Sequence, residues 1–309
     1  MNHREPAMQI LDEIIDAHGG MDLWNRIDEL DVVLSSQGFL FTSLMRWRAP
    51  VVKRKQVRLL TREPRLTLFD LPESGLRSEL IGNDEVRIVD GNGTTVAQRM
   101  NPRATFRGLA RLTWDALDFT YFAGYALWNY LTTPFLLVYK NVHVEALDPL
   151  DGLSRLRVTF PDEIPTHSRR QIFYFDNRRR LRRLDYAVDI VSRRVRGAHF
   201  CDEYKTFDRL AAPTRRRVFP LLIGNAPLPA PTLWRSTFTA SNGEHDERAV
   251  IDVSAGGFAP MTRSLNPGGS MRHGNAGVAG REVESAMNES VLSAHCRPAV
   301  VSGATRRDG

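Results

Sequence analysis

Two patterns of apolar and polar positions alternate along the chain. Over much of 30–100 and 142–220 the period is two, the mark of half-buried β-strands. Between them lies 119–138, FTYFAGYALWNYLTTPFLLV, twenty residues without formal charge. An amphipathic helix precedes the first strands: over 8–18, Leu11, Ile14, Ile15 and His18 share one helical face. Pro6 is harmless in its first turn, and Gly19-Gly20 stop it because glycine tolerates the left-handed cap. Leu23, Trp24 and Ile27 predict a second short helical piece. Strands are predicted at 31–36, 39–48, 51–60 and 65–71, with a hairpin at 86–90 and 94–99 around Gly91-Asn92-Gly93. From Ala104, the spacing of Phe106, Leu109, Leu112 and Leu117 predicts a helix running into the apolar stretch. A meander over 153–160, 171–176, 181–191, 194–204 and 213–220 completes the pattern.

The length and apolarity of 119–138 suit a membrane-spanning helix. Three features favour a buried helix, or a pair of short ones. Gly124, Asn129, Thr132, Thr133 and Pro134 interrupt the stretch. Asp115 and Asp118 stand within a turn of its start. The tyrosines and Trp128 carry polar groups through its middle, not only at its ends. Pro134 lacks a backbone donor, so the helix is expected to end near Thr133. The β material is then expected to wrap this segment.

After 225 the periodicity fades. Pro227, Pro229 and Pro231 open a link, and the residues to Gly309 are rich in Gly, Ser, Ala, Asn and Arg. Such a composition buries too little surface to offset ordering entropy. The expected organisation is one domain over 8–232 and a disordered or low-complexity tail over 241–309.

Net charge is +6 and the pI about 9.6, a balance that attracts anionic surfaces without specifying a fold. The arginine runs 178–180, 182–183, 193–194 and 215–217 lie on predicted strands, which split each run between both faces. A solvated outer face is the first reading. An anionic lipid surface is the second, and nucleic acid ranks third as a partner. Cys201 and Cys296 lie in regions of different character and suggest no disulfide framework. The first twenty residues lack the continuous apolar stretch and cleavage site of a secretory leader, so a cytoplasmic chain is expected.

Phe119, Tyr121, Phe122, Tyr125, Trp128, Asn129 and Tyr130 are the candidate ligand-binding residues. Pockets are mostly apolar with a few polar groups, which Tyr121, Tyr125, Asn129 and Tyr130 supply. The same rings serve equally as plain core. His199 and Cys201 share a strand face, but no spacing characteristic of a metal site or a nucleophile accompanies them. Asp115 and Asp118 read as caps of the aromatic helix. No nucleophile elbow, P-loop or dinucleotide fingerprint occurs. No catalytic residue, metal or cofactor is expected.

Several of these stretches resemble a known group. AHGGMDLWNRIDEL (17–30) is similar to the helix–GG–helix–strand opening of the lipoprotein-localisation family, the LolA/LppX-like group. QIFYFDNRRRLRRLDY (171–186) and AHFCDEYKTFDRLAAPTRRRV (198–218) resemble its closing meander. NPRATF (101–106) and YFAGYALWNYLTTPFLL (121–137) resemble a cytosolic-looking branch of it. The resemblance covers about 10–231 and brings no activity with it. It implies an α+β fold: a curved antiparallel β-sheet half-barrel with helices across the concave face, where periplasmic members receive acyl chains. The chain departs from those members in lacking a secretory leader and a lipobox cysteine, and in the composition after Leu233, which reads as an added tail or a shifted frame. Three functions follow as expectations: a soluble protein binding an apolar or amphipathic ligand, an enzyme using the same cavity, or a membrane-associated protein anchored by 119–138.

Overall fold

The computed structural model describes residues 4–38, 52–108, 110, 113–222, 226–240 and 249–251. The strand expected at 39–48 lies outside the described residues, as do 241–248 and 252–309 of the expected tail. The chain opens with α1 (Arg4–Ala17) and α2 (Met21–Trp24). Gly19 and Gly20 separate them at φ 122° and 82°, backbone that glycine adopts at least cost. Leu11, Ile14, Ile15 and His18 are all buried, as their shared face predicts.

Among the described residues six strands follow: β1 (Glu29–Gln37), β2 (Val52–Leu60), β3 (Arg65–Phe69), β4 (Arg77–Ile81), β5 (Glu85–Val89) and β6 (Thr95–Met100). A helical insertion carries α3 (Ala116–Thr132) between two 3-10 turns, Pro102–Thr105 and Phe135–Val138. The second β section holds β7 (His143–Leu150), β8 (Leu153–Thr159), β9 (Arg170–Phe175), β10 (Leu181–Val188), β11 (Ser192–Phe207), β12 (Leu210–Pro220) and β13 (Trp234–Ala240). A short β14 (Ala249–Ile251), inside the stretch expected to be disordered, pairs in parallel with β1.

The strands form one sheet in the order β6-β5-β4-β3-β2-β1-β13-β12-β11-β10-β9-β8-β7, with β14 off this path. Every pairing along it is antiparallel. The last long strand therefore joins the two halves: β13 pairs with β1 on one side and β12 on the other. The insertion leaves one edge strand, β6, and returns to the other, β7. Laid flat, these strands would hold their edges roughly 55–60 Å apart. A 17-residue helix spans only about 25 Å. Yet α3 packs on β3, β4 and β5 while Tyr130 near its end meets Tyr186 of β10 and Arg216 of β12. The sheet bends around the helix to allow both. The fold is α+β, a curved antiparallel sheet with α3 across its concave face.

Besides β14, β4 and β13 go beyond the sequence reading. β4 is five residues, between Gly75 and Gly82, too short for its alternation to stand out. β13 follows the proline-rich link and carries Ser236 on its buried face, which masks the apolar period. The helix expected from Ala104 is corrected where it is described: Pro102–Thr105 is a 3-10 turn and α3 starts at Ala116, while Leu109 and Leu112 lie outside the described residues. Asp115 sets that start. Its carboxylate accepts from the Asp118 N–H at 2.9 Å, and the Asp118 carboxylate accepts from the Asp115 N–H at 3.2 Å, a reciprocal capping box. The helix ends at Thr132 before Pro134, as predicted.

Candidate functional site

Most of the stretch 119–138 is buried in protein, and Val138 at its end is exposed. Tyr121, Tyr125 and Trp128 are fully buried. Among the described residues no helix is long and apolar enough to cross a membrane. The helix lies close against the sheet at Gly124, where an added Cβ would sit 2.8 Å from the Leu80 Cβ. Glycine costs helix stability, and here it lets α3 settle on β4.

Contact is less complete along one stripe. Phe119, Phe122, Ala123, Ala126, Leu127 and Tyr130 line a cavity of about 80 Å³. Their spacing of three and four residues places them on one helical face. The sheet supplies the opposite walls, including Leu34 and Leu68 from the first section and Val188, Val195 and Val218 from the second. Trp234 of β13 and Leu71 complete much of the apolar lining.

Two parts of the wall are polar: Ser36 and Gln37 on β1, and a cluster around His167. The Tyr130 hydroxyl lies 2.6 Å from His167 Nε2 and 3.0 Å from the Tyr186 hydroxyl. The Tyr125 hydroxyl lies 3.0 Å from His167 Nδ1. The His167 and Tyr186 rings stack at 4.3 Å and 11°. His167 stands on the 161–169 loop, which Asn129 ties to α3 by donating to Pro165 O at 2.7 Å, and Arg103 secures by donating to Thr166 O at 2.9 Å. Burial, with the Arg103 charge second, lowers the His167 pKa to about 3. Burial raises the pKa of Tyr125, Tyr130 and Tyr186 above the usual phenol range. The network is therefore neutral at physiological pH. Its imidazole is a very weak base, and its phenols are poor sources of phenolate.

Behind Tyr130 lies a buried cation. Arg216 is 2% exposed and forms no ion pair with a described carboxylate. Its Nη2 donates to the Tyr130 carbonyl at 2.7 Å and its Nη1 to Cys201 Sγ at 3.1 Å. The guanidinium lies 5.4 Å from the Tyr130 ring centroid and 5.8 Å from that of Phe238. Tyr130 O belongs to the last turn of α3, where carbonyls lack helical partners and the helix dipole is negative. The end of α3 thus serves Arg216 in place of a carboxylate. At the other end, Arg99 reaches Asp118 at 2.7 Å and Asp115 at 2.6 Å. Neighbours of Arg216 point outward and pair: Arg217 with Asp202 at 2.6 Å, Arg215 with Glu203 at 2.9 Å.

Of the sequence candidates, Phe119, Phe122 and Tyr130 lie on the cavity wall. The others lie elsewhere. Tyr125 holds His167 from behind. Tyr121 donates to Asn83 Oδ1 at 3.1 Å, Trp128 to Leu60 O at 2.8 Å, and Asn129 to Tyr125 O at 2.6 Å as well as Pro165 O. Ala123, Ala126 and Leu127 line the wall but lack the aromatic character that drew the sequence reading. The helical stripe through Phe119, Phe122 and Tyr130 contains the signal that identifies them. His199 is fully buried with neither ring nitrogen hydrogen-bonded, edge-on to Tyr130 at 4.4 Å and 90°. Burial holds it neutral. Among the described residues no group of three His, Cys, Asp or Glu is placed to hold a metal.

No protein-family model matches the chain, and no curated protein matches it. Solved structures similar to it include two. One is a LolA superfamily protein from Nitrosomonas europaea, 11% identical, covering 75% of this chain and 91% of its own, with a TM-score of 0.41. The other is a DUF1329 family protein from Desulfovibrio piger, 12% identical, covering 76% of this chain and 91% of its own, with a TM-score of 0.43. Both likenesses are at low identity.

Proposed function

We propose that the protein is a soluble binding protein that holds an apolar or amphipathic, lipid-like ligand between α3 and the curved sheet. The observation that carries this reading is the helical stripe from Phe119 to Tyr130, separated from the facing sheet by a largely apolar cavity whose polar lining is the His167 cluster with Ser36 and Gln37. Ligand sites commonly measure ~300–1,000 Å³, against about 80 Å³ in this cavity. Uptake of a chain-like ligand on this reading moves α3 away from the sheet. The Phe119, Phe122 and Tyr130 rings are then ligand contacts, while Tyr121, Tyr125, Trp128 and Asn129 support the helix from behind. The outer arginines give the protein an affinity for an anionic membrane surface, and the cytoplasm is its place of work. Native mass spectrometry of the purified full chain tests the reading. A co-purified lipid-like adduct, released by organic solvent, is expected. A bare chain that also fails to bind Nile red contradicts it.

A second reading, an enzyme acting on an apolar substrate in the same cavity, has His167 on the wall in its favour. The ring's low basicity weighs against it. Turnover of a bound ester that disappears in His167→Asn would favour it over binding alone.

A further inference from the structure

The polar wall carries one more proton than its own contacts consume. Tyr125, His167, Tyr130 and Tyr186 each bring one N–H or O–H when His167 is neutral. They make three contacts with one another: Tyr125 to His167, His167 to Tyr130, and Tyr130 to Tyr186. Each contact uses one donor, so one is left over.

The tautomer of His167 decides where. With the proton on Nδ1, His167 donates to Tyr125, and the Tyr125 O–H is the one stranded. That hydroxyl is fully buried, does not line the cavity, and has no other hydrogen-bond partner among the described residues. With the proton on Nε2, Tyr125 donates to Nδ1 and His167 donates to Tyr130. The surplus O–H then belongs to Tyr130 or Tyr186, and both line the cavity. A buried donor without an acceptor is costly. The second arrangement avoids that cost once an acceptor stands in the cavity.

The remaining wall limits what the acceptor is. No Asp, Glu, Lys or Arg is among the described lining residues, and the other polar side chains there, Ser36 and Gln37, are uncharged. A buried ion without a partner of opposite sign is strongly disfavoured. An ammonium brings only more donors to a wall that already has one too many.

We propose that the cavity selects an apolar molecule with one uncharged acceptor oxygen, an ester, ketone or ether, seated against the hydroxyls of Tyr130 and Tyr186. This rests on the cavity being a ligand site.

The test uses the full chain and three molecules of matched chain length: methyl decanoate, ionised decanoate and decylamine. Each competes with Nile red at about pH 8, where a free carboxyl is ionised. The ester should displace the dye, decanoate should bind roughly tenfold more weakly, and decylamine should not compete, given the cost of burying unpaired charge. The infrared carbonyl band of bound methyl decanoate, labelled with 13C at the carbonyl, should lie below its position in cyclohexane, as a hydrogen-bonded carbonyl does. An ester that binds with its band at the cyclohexane position overturns this inference and leaves the binding reading intact. So does decanoate or decylamine binding as tightly as the ester. Saturable binding by none of the three, and none by Nile red, overturns both.

Discussion

Tyr130 and His167 lie 37 residues apart, one on α3 and one on the loop before β9, and share a buried 2.6 Å hydrogen bond. The bond joins the inserted helix to the second half of the sheet. Tyr130→Phe keeps the ring and removes the hydroxyl, leaving His167 Nε2 and the Tyr186 hydroxyl without their shared partner. A loss of about 1–3 kcal/mol is expected from unsatisfied buried groups. Urea denaturation measures it, and an unchanged midpoint would dismiss the bond as a tie.

Acid should weaken the fold before its carboxylates titrate. Burial first, then the Arg180 charge, lowers the His18 pKa to about 4 against two opposing contributions, and His167 is lowered to about 3. Unfolded histidine titrates near 6.5. Below that pH the unfolded chain binds protons that the folded chain refuses, so stability falls with falling pH. For His18 the contribution is complete above about pH 6.5 and lost on the way to about pH 4, roughly 3 kcal/mol in all. His167 extends the loss to about pH 3. Denaturation midpoints from pH 7 to pH 4 in wild type and His18→Gln check this. Parallel curves would contradict it.

Arg216 should behave as a helix cap. Arg216→Met strips the Tyr130 carbonyl of its buried donor and is expected to cost roughly 1–3 kcal/mol. Arg216→Lys keeps the charge and is expected to recover part of it. Thermal melts of the two variants decide between a cap and a plain packing role, in which Met would serve at least as well as Lys.

Gly124→Ala should destabilise, against the usual preference for alanine in a helix. The added Cβ meets Leu80 Cβ at 2.8 Å, and overpacking of this kind costs about 1–3 kcal/mol. Combining it with Leu80→Ala should recover part of the loss. A double-mutant cycle with no coupling would place the close approach elsewhere.

The described strand series, the meander and the end of α3 next to Thr133 were legible because period-two alternation and Pro134 act locally. The separation of Arg216 from Arg215 and Arg217 was legible for the same reason, since strand alternation turns the middle arginine inward. What stayed hidden is set by distant parts of the chain. β13 pairs with β1, some two hundred residues earlier, and nothing in WRSTFTA announces that partner. The cavity stripe was half visible. Aromatic content pointed to Phe119, Phe122 and Tyr130, but equally to Tyr121, Tyr125 and Trp128, which turn to the other side of α3. Only the helical phase separates the sets, and the sheet decides which phase meets a void. His167 had no distinguishing spacing, because a loop and not a motif delivers it.

Ala126 projects from α3 into the cavity with a small side chain. A fluorescence titration of Nile red into wild type and Ala126→Leu tests whether that space holds a ligand. The account predicts saturable binding to wild type, weakened roughly tenfold or more when the added methylenes fill the void, with the circular-dichroism spectrum unchanged. Equal binding by the two proteins, or no saturable binding by wild type, would contradict it.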